Sequence, residues 1–306
     1  MRIAIVTTSY PAEESDPAGH FVRASARDLE RQGHRVEVVS PRAGGAFGWP
    51  GVAARLRDRP LRAIEAAAWV LHARARIARL DADRVVAHWA VPCGWPIGTA
   101  ARAPLEVVSH GGDVRFLARL PRAARDRVAG AIAERAFAWS FVSESLLGEL
   151  LASLRGATLA RVERIACVAA PALEMPDVRD AVARLRRELG TTRTAVSVGR
   201  LVASKRVDRA IEHVARARDV DVLVVVGDGP ERARLEGLAR ERGVSTRFVG
   251  AVSRHEALAW IGAADALLHA SVAEGLSTVV REAEALGTTV VRIGSERAGS
   301  TGAPSR

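Results

Sequence analysis

Ten short apolar runs, each followed by a polar or amphipathic stretch, constrain this chain more than any other feature. RIAIVT (2–7) reads as a buried strand, GHFVRASARDLERQG (19–33) as a helix stopped by Gly33, and HRVEVVS (34–40) as the next strand. RVVAHW (84–89), LEVVSH (105–110) and AWSFVS (138–143) continue the series. A proline-bounded, weakly patterned segment, AAPALEMPD (169–177), interrupts it. The rhythm restarts with TAVSVG (194–199), DVLVVVG (221–227), TRFVG (246–250), DALLHAS (265–271) and TTVVRI (288–293). Strand–helix alternation of this kind predicts parallel, doubly wound sheets. The interruption predicts two α/β domains, 1–171 and 172–293, with a Ser/Gly/Ala/Arg-rich tail at 294–306 expected to be disordered. Ligands of such sheets bind beyond the carboxyl ends of the strands, so the residues just after each run carry the functional interest.

Charge narrows the choice of ligand. The net charge is +10, and a single lysine, Lys205, stands among 45 Lys and Arg residues. Codon bias toward arginine explains most of that pattern, but such a surface still attracts anions. With 4% aromatics and no recognition motif, nucleic acid is not an expected partner. Cys93 and Cys167 stand far apart, which gives neither a disulfide framework nor a CxxC site and fits a reducing cytoplasm. No window approaches the roughly 20 apolar residues of a membrane span. The arginine-rich stretch 52–80, interrupted by Pro60, reads either as an outer helix with snorkelling arginines or as a peripheral contact with an anionic membrane face.

Four strand ends carry candidate chemistry. In GRLVASKR (199–206), Arg200 and Lys205 lie between a strand and the helix expected from Ser204 onward, where two cations and free N–H groups suit a diphosphate. Lysine is a compact charge on a flexible stem, suited to reaching between phosphate oxygens. In SVAEGLSTVVREAEALG (271–287), Glu274 and Glu282 flank the turn Gly275, Leu276, Ser277 and Thr278. Its N–H groups suit a diphosphate, and carboxylates suit paired sugar hydroxyls. SHGGDV (109–114) puts His110 at a strand end before two glycines, with Asp113 placed to cap the next helix. VVGDGPER (225–232) lacks the third glycine of a dinucleotide fingerprint and reads as a tight turn with Pro230 at a helix start. DAD (81–83) and DVD (219–221) precede their strands and read as turn residues, not metal ligands. The histidines show no ligand spacing, so no metal site is expected.

Taken in order, these segments resemble the family 4 retaining glycosyltransferases of the GT-B fold. The resemblance rests on TSYPAEESDPAGHFVRASARDLERQGHRVEVVSP (8–41), SHGGDV, GRLVASKRVDRAIE (199–212), VVGDGPERARLEGLA (225–239), RFVGAVSRHEAL (247–258) and SVAEGLSTVVREAEALGTTVV (271–291). It implies two Rossmann-like domains facing a cleft, with a UDP- or GDP-sugar on the second and an unidentified lipid, glycan or small-molecule acceptor. The catalytic set it implies is His110, Arg200, Lys205 and Glu274. Arg200 and Lys205 would neutralise the diphosphate, Glu282 would bind the ribose, and Glu274 would hold the sugar, helped by N–H groups of Gly275 to Thr278. Backbone near Val252 would meet the base, and Gly19 would lie near the sugar and acceptor. Anomeric configuration would be retained, with neither metal nor resident cofactor, in the cytoplasm or at the inner membrane face.

Two departures from the family pattern bear on activity. The turn EGLST differs from the family's Glu-Gly-Phe-Gly run, and the chain passes into GSERAGSTGAPSR where family members continue with a bracing helix. A short variant or a truncated product is therefore expected. A nucleotide-binding protein without turnover, or a nucleotide-sugar epimerase, is the alternative to a transferase.

Overall fold

In the computed structural model the described residues are 1–11, 19–42, 44–47, 52–171, 173–271 and 277–294, without the side chains of 53 and 54. The chain divides into two compact units, Met1–Glu174 and Met175–Arg306.

The first unit runs β1 (Arg2–Val6), α1 (His20–Arg31), β2 (Arg35–Val39), α2 (Val52–Asp58), α3 (Arg62–Arg79) and β3 (Arg84–His88). An irregular turn segment over Ala90–Ala100 leads to β4 (Leu105–Ser109), α4 (Gly112–Arg119), α5 (Arg122–Arg135), β5 (Ala136–Phe141), α6 (Glu144–Ser153), α7 (Gly156–Ile165) and β6 (Ala166–Val168). The strands form one sheet in the order β2-β1-β3-β4-β5-β6, each neighbouring pair parallel. Ile3, Ile5, Val22, Ala26 and Val86 build one of its buried clusters. The short strand β6 has no counterpart among the sequence-read runs, because ACV is too brief to stand out from the helix before it. Pro60 separates α2 from α3, as its missing N–H requires.

The second unit runs α8 (Arg179–Leu189), β7 (Thr194–Val198), a 3-10 turn (Ala203–Lys205), α9 (Val207–Ala217), β8 (Val222–Val226) and α10 (Arg232–Glu241). It continues through β9 (Thr246–Gly250), α11 (Arg254–Ala263), β10 (Ala266–His269), α12 (Thr278–Ala285) and β11 (Thr289–Arg292). Its sheet order is β11-β10-β7-β8-β9, again all parallel. Apolar strand residues pack on both faces: Val196 and Val224 toward Leu258, Ile261 and Val280, and Ala195 and Leu223 toward Ile211 and Leu235. Burial on both faces explains why these strands read as continuous apolar runs.

Strand order reverses between β7 and β10 in this unit, and between β1 and β3 in the first. These are the topological switch points, where loops at the carboxyl ends diverge and open a crevice. The acidic pairs set aside as turn residues lie at the opposite edges. Asp81 pairs with Arg2, Asp83 accepts the Arg2 N–H, and Asp221 holds Arg193 at 2.9 Å.

Candidate functional site

At the switch point of the second unit, β7 ends at Val198 and the chain turns through Gly199. The helix expected from Ser204 begins at Val207. Ala203–Lys205 form a single 3-10 turn, and Arg206 takes a left-handed conformation, φ 51°, before α9. Lys205 therefore sits on a tight turn two residues ahead of the helix. A β-carbon built on Gly199 would lie 3.6 Å from Cε of Lys205, so the lysine stem runs over this glycine. Arg200 is half-buried on the same loop, and Leu201 anchors the loop in the core.

Two neighbouring turns hold this loop. Leu201 N–H donates to the Asp228 carbonyl at 3.0 Å, and Glu231 N–H donates to the Leu201 carbonyl at 3.0 Å. Backbone approaches there are too close for any side chain. A β-carbon on Gly227 would meet the Gly199 oxygen at 2.0 Å, and one on Gly229 the Leu201 oxygen at 2.5 Å. The GDGP segment is thus a clamp on the cationic loop. Its proline does not start the helix, since α10 begins two residues later at Arg232. From the other side of the switch point, the Ser271 hydroxyl donates to the Ser204 carbonyl at 3.4 Å.

Glu274, Gly275 and Leu276 lie outside the described residues. Ser277 precedes α12 without a side-chain capping bond, and its hydroxyl is buried with no partner among the described residues. Thr278 is the first residue of α12. Glu282, the fifth, is 8% exposed. It is not a lone acceptor: Nε and Nη2 of Arg254, at 3.1 and 2.9 Å, both donate to its Oε1. Sequence reasoning did not single out Arg254; a buried helical carboxylate needing a cation was the signal available. Val252, just before α11, packs its side chain into the core and leaves its backbone for contacts.

At the carboxyl ends of β1, β3 and β4 the first unit gathers a second cluster. The His110 ring stacks on His88 with an interplanar angle of 13°, and His88 Nδ1 lies 2.9 Å from His110 Nε2. Phe21 and Trp89 close around His110, with ring centroids 4.6 and 5.1 Å away. Burial brings the His110 pKa down to about 3 and lowers that of His88 strongly, so the pair is neutral at ordinary pH. One ring donates and the other accepts. His88, Phe21 and Trp89 were not foreseen; the histidine closing the run RVVAH was the available hint.

Asp113 differs from expectation. It is the second residue of α4, and Gly111 occupies the cap position. Its buried carboxylate reaches back to the N–H groups of His110 (3.2 Å) and Gly111 (3.0 Å) and across to Ala90 (2.7 Å). It fixes the turn that carries His110. Gly19 starts α1 at φ 75°, where a β-carbon would lie 2.3 Å from the Ser9 oxygen. Only glycine tolerates that approach. Among the described residues no group of three or more His, Cys, Asp or Glu side chains is placed to hold a metal ion. No described helix is long and apolar enough to cross a membrane.

The chain is similar to several known proteins. Residues 183–296 match the family glycosyl transferases group 1. The 2-deoxystreptamine glucosyltransferase of Streptomyces kanamyceticus is 29% identical over 71% of this chain, which spans 60% of that protein's length. A teichuronic acid biosynthesis glycosyltransferase, TuaC of Bacillus subtilis, is 24% identical over 95% of this chain and 80% of its own length. Among solved structures, HepE of Anabaena with UDP and glucose superposes with a TM-score of 0.64 at 18% identity, covering 95% of this chain and 80% of that one. Sucrose-phosphate synthase of Thermosynechococcus elongatus superposes with a TM-score of 0.69 at 21% identity over the same shares. The family match falls within the second unit, and the fold of the chain, two Rossmann-like α/β units, is that of the GT-B structures it superposes on.

Proposed function

We propose that this chain transfers a hexose from a nucleoside-diphosphate sugar to an acceptor, with retention at the anomeric carbon and without a metal ion. The observation that carries the reading is the cationic loop of Arg200 and Lys205 at the β7/β10 switch point, clamped by Gly227 and Gly229 and tied to the loop after β10 through Ser271. As the glycosidic bond breaks, charge grows on the departing diphosphate. Preorganised cations and N–H groups at that place stabilise it selectively. Arg200 offers a planar fork and Lys205 a compact point charge. Glu282 accepts the ribose hydroxyls, and the backbone by Val252 meets the base. Ser277 and Thr278 contribute at the start of α12, and Glu274, Gly275 and Leu276 keep the sugar-binding roles that the resemblance implies. In the first unit, His110 and Gly19 are the sugar- and acceptor-side residues. UDP is present in the HepE structure, which favours a uridine donor for the first trials.

A peripheral membrane contact belongs to the same reading. Leu61, Ile64 and Leu71 lie on one side of α3 and its start, 79%, 69% and 68% exposed, while Ala73 and Ile77 are buried on the other. Arg57, Arg59, Arg74 and Arg79 flank that stripe on the surface. Apolar side chains beside arginines suit an anionic lipid face. Sedimentation with phosphatidylglycerol-containing vesicles, lost when the three residues become serine, is the expected behaviour; equal sedimentation of that variant counts against it.

The transferase test incubates the chain with UDP- and GDP-sugars and a panel of aminocyclitol, glycan and lipid-linked acceptors, with and without EDTA. Released nucleoside diphosphate and a product of retained configuration, unaffected by the chelator, are expected. Tight nucleotide binding with no release across the panel makes the chain a nucleotide-binding protein instead.

A further inference from the structure

The Arg254–Glu282 pair joins the segment assigned to the base with the residue assigned to the ribose. Arg254 opens α11 directly after Val252 and Ser253, and Glu282 lies on α12, 28 residues on. The Ser253 hydroxyl accepts the Glu256 N–H at 3.2 Å, and Val252 is packed in the core, so the guanidinium starts from a fixed backbone. The two side chains are 14% and 10% exposed. Both nitrogens converge on one oxygen, Oε1, in place of the fork-to-fork arrangement that would engage both.

We propose that Arg254 is a positioning residue for ribose recognition: it holds the Glu282 carboxylate by Oε1 and so aims Oε2 at the ribose hydroxyls. The proposal rests on the reading of Glu282 as the ribose acceptor. Three physical steps support it. A buried carboxylate needs hydrogen-bond donors to offset its lost hydration, and Arg254 supplies two. A charged acceptor binds a hydroxyl more strongly than a neutral one. Two hydrogen bonds that fix Oε1 restrict the torsions of the carboxylate, so the second oxygen meets the ligand with a smaller loss of side-chain freedom.

The test compares UDP with 2′-deoxy-UDP by calorimetric titration of the whole chain, using GDP and 2′-deoxy-GDP if guanosine binds better. A charge-assisted bond to the 2′-hydroxyl makes the wild type prefer UDP by about tenfold or more. Glu282→Ala is expected to erase that preference. Arg254→Met is expected to erase it as well, with UDP losing more affinity than 2′-deoxy-UDP, which already lacks the 2′-hydroxyl bond. Arg254→Lys keeps the charge with a single donor group and retains part of the preference. It decides the matter if Arg254→Met fails to fold.

Other outcomes overturn the proposal. Equal weakening of both nucleotides in the Arg254 variants would make Arg254 a direct ligand of base or phosphate, or a purely structural residue. Full retention of the preference would show that Glu282 needs no positioning. If Glu282→Ala itself keeps the preference, or the wild type binds no nucleotide, the underlying reading of Glu282 fails first. If Glu282→Ala loses the preference while Arg254→Met keeps it, only the positioning role is refuted.

Discussion

Replacing Gly227 by alanine tests whether the cationic loop is held by its neighbours or by its own side chains. The new β-carbon would sit 2.0 Å from the Gly199 oxygen and 2.9 Å from its carbonyl carbon. The first distance is a full ångström short of the 3.0 Å below which something must move. Neither atom belongs to a flexible side chain, so backbone has to yield. Overpacking of this kind costs about 1–3 kcal/mol. Gly227 also has φ 132°, a conformation that costs an L-residue roughly 1–2 kcal/mol more. The total is about 2–5 kcal/mol, or a fall of about 6–15 °C in the melting midpoint at about 3 °C per kcal/mol. Relief of the clash displaces Gly199 and carries Arg200 and Lys205 with it, so UDP affinity falls together with stability. Differential scanning calorimetry and UDP titration measure the two effects. A melting midpoint and a UDP affinity both within error of wild type would refute the clamp.

Lys205→Ala removes one charged donor from the diphosphate and, at about 1.5–3 kcal/mol, weakens UDP binding roughly ten- to a hundredfold. Its melting midpoint stays near wild type, and unchanged affinity would exclude Lys205 from the site. Asp113→Ala removes an acceptor from three backbone N–H groups and destabilises the first unit by about 3 kcal/mol, at roughly 1 kcal/mol per bond. Asp113→Asn, which keeps one acceptor oxygen, loses less in the same urea titration. The histidine pair sets an acid limit. Burial lowers the His110 pKa from 6.5 to about 3, so the unfolded chain takes up a proton that the folded chain refuses. The pair therefore leaves stability level above pH 6.5 and reduces it as pH falls toward 3, with His110 alone costing about 2 kcal/mol at pH 5. Urea midpoints at pH 7 and pH 5, compared with those of His110→Gln, check this; an equal drop in the variant contradicts it.

Much of the architecture was legible because both sheets are parallel and covered on two faces. Their strands are unbroken apolar runs, and all ten runs read from the sequence became strands. Boundaries suffered where local chemistry is ambiguous. Ser204 to Arg206 continue a helical pattern, yet the chain makes a 3-10 turn and a left-handed residue before α9. Asp113 has the composition of a cap, but its partners lie behind it and on another segment.

The candidate site divides along the same line. Glycine turns, with cations and a histidine just after strands and a carboxylate in the helix that follows one of them, identify Arg200, Lys205, His110 and Glu282 as candidates, because a parallel sheet delivers its loops to one edge. Which of those loops meet is a property of strand order, and order is invisible in a single chain of letters. Tertiary structure alone seats Lys205 over Gly199, turns Gly227 and Gly229 into a clamp, stacks His88 on His110 and pairs Arg254 with Glu282 across 28 residues. The physical reason is range. Apolar periodicity and turn chemistry act over a few residues, whereas close backbone approach, ring stacking and neutralisation of a buried charge depend on partners that only the folded sheet brings together.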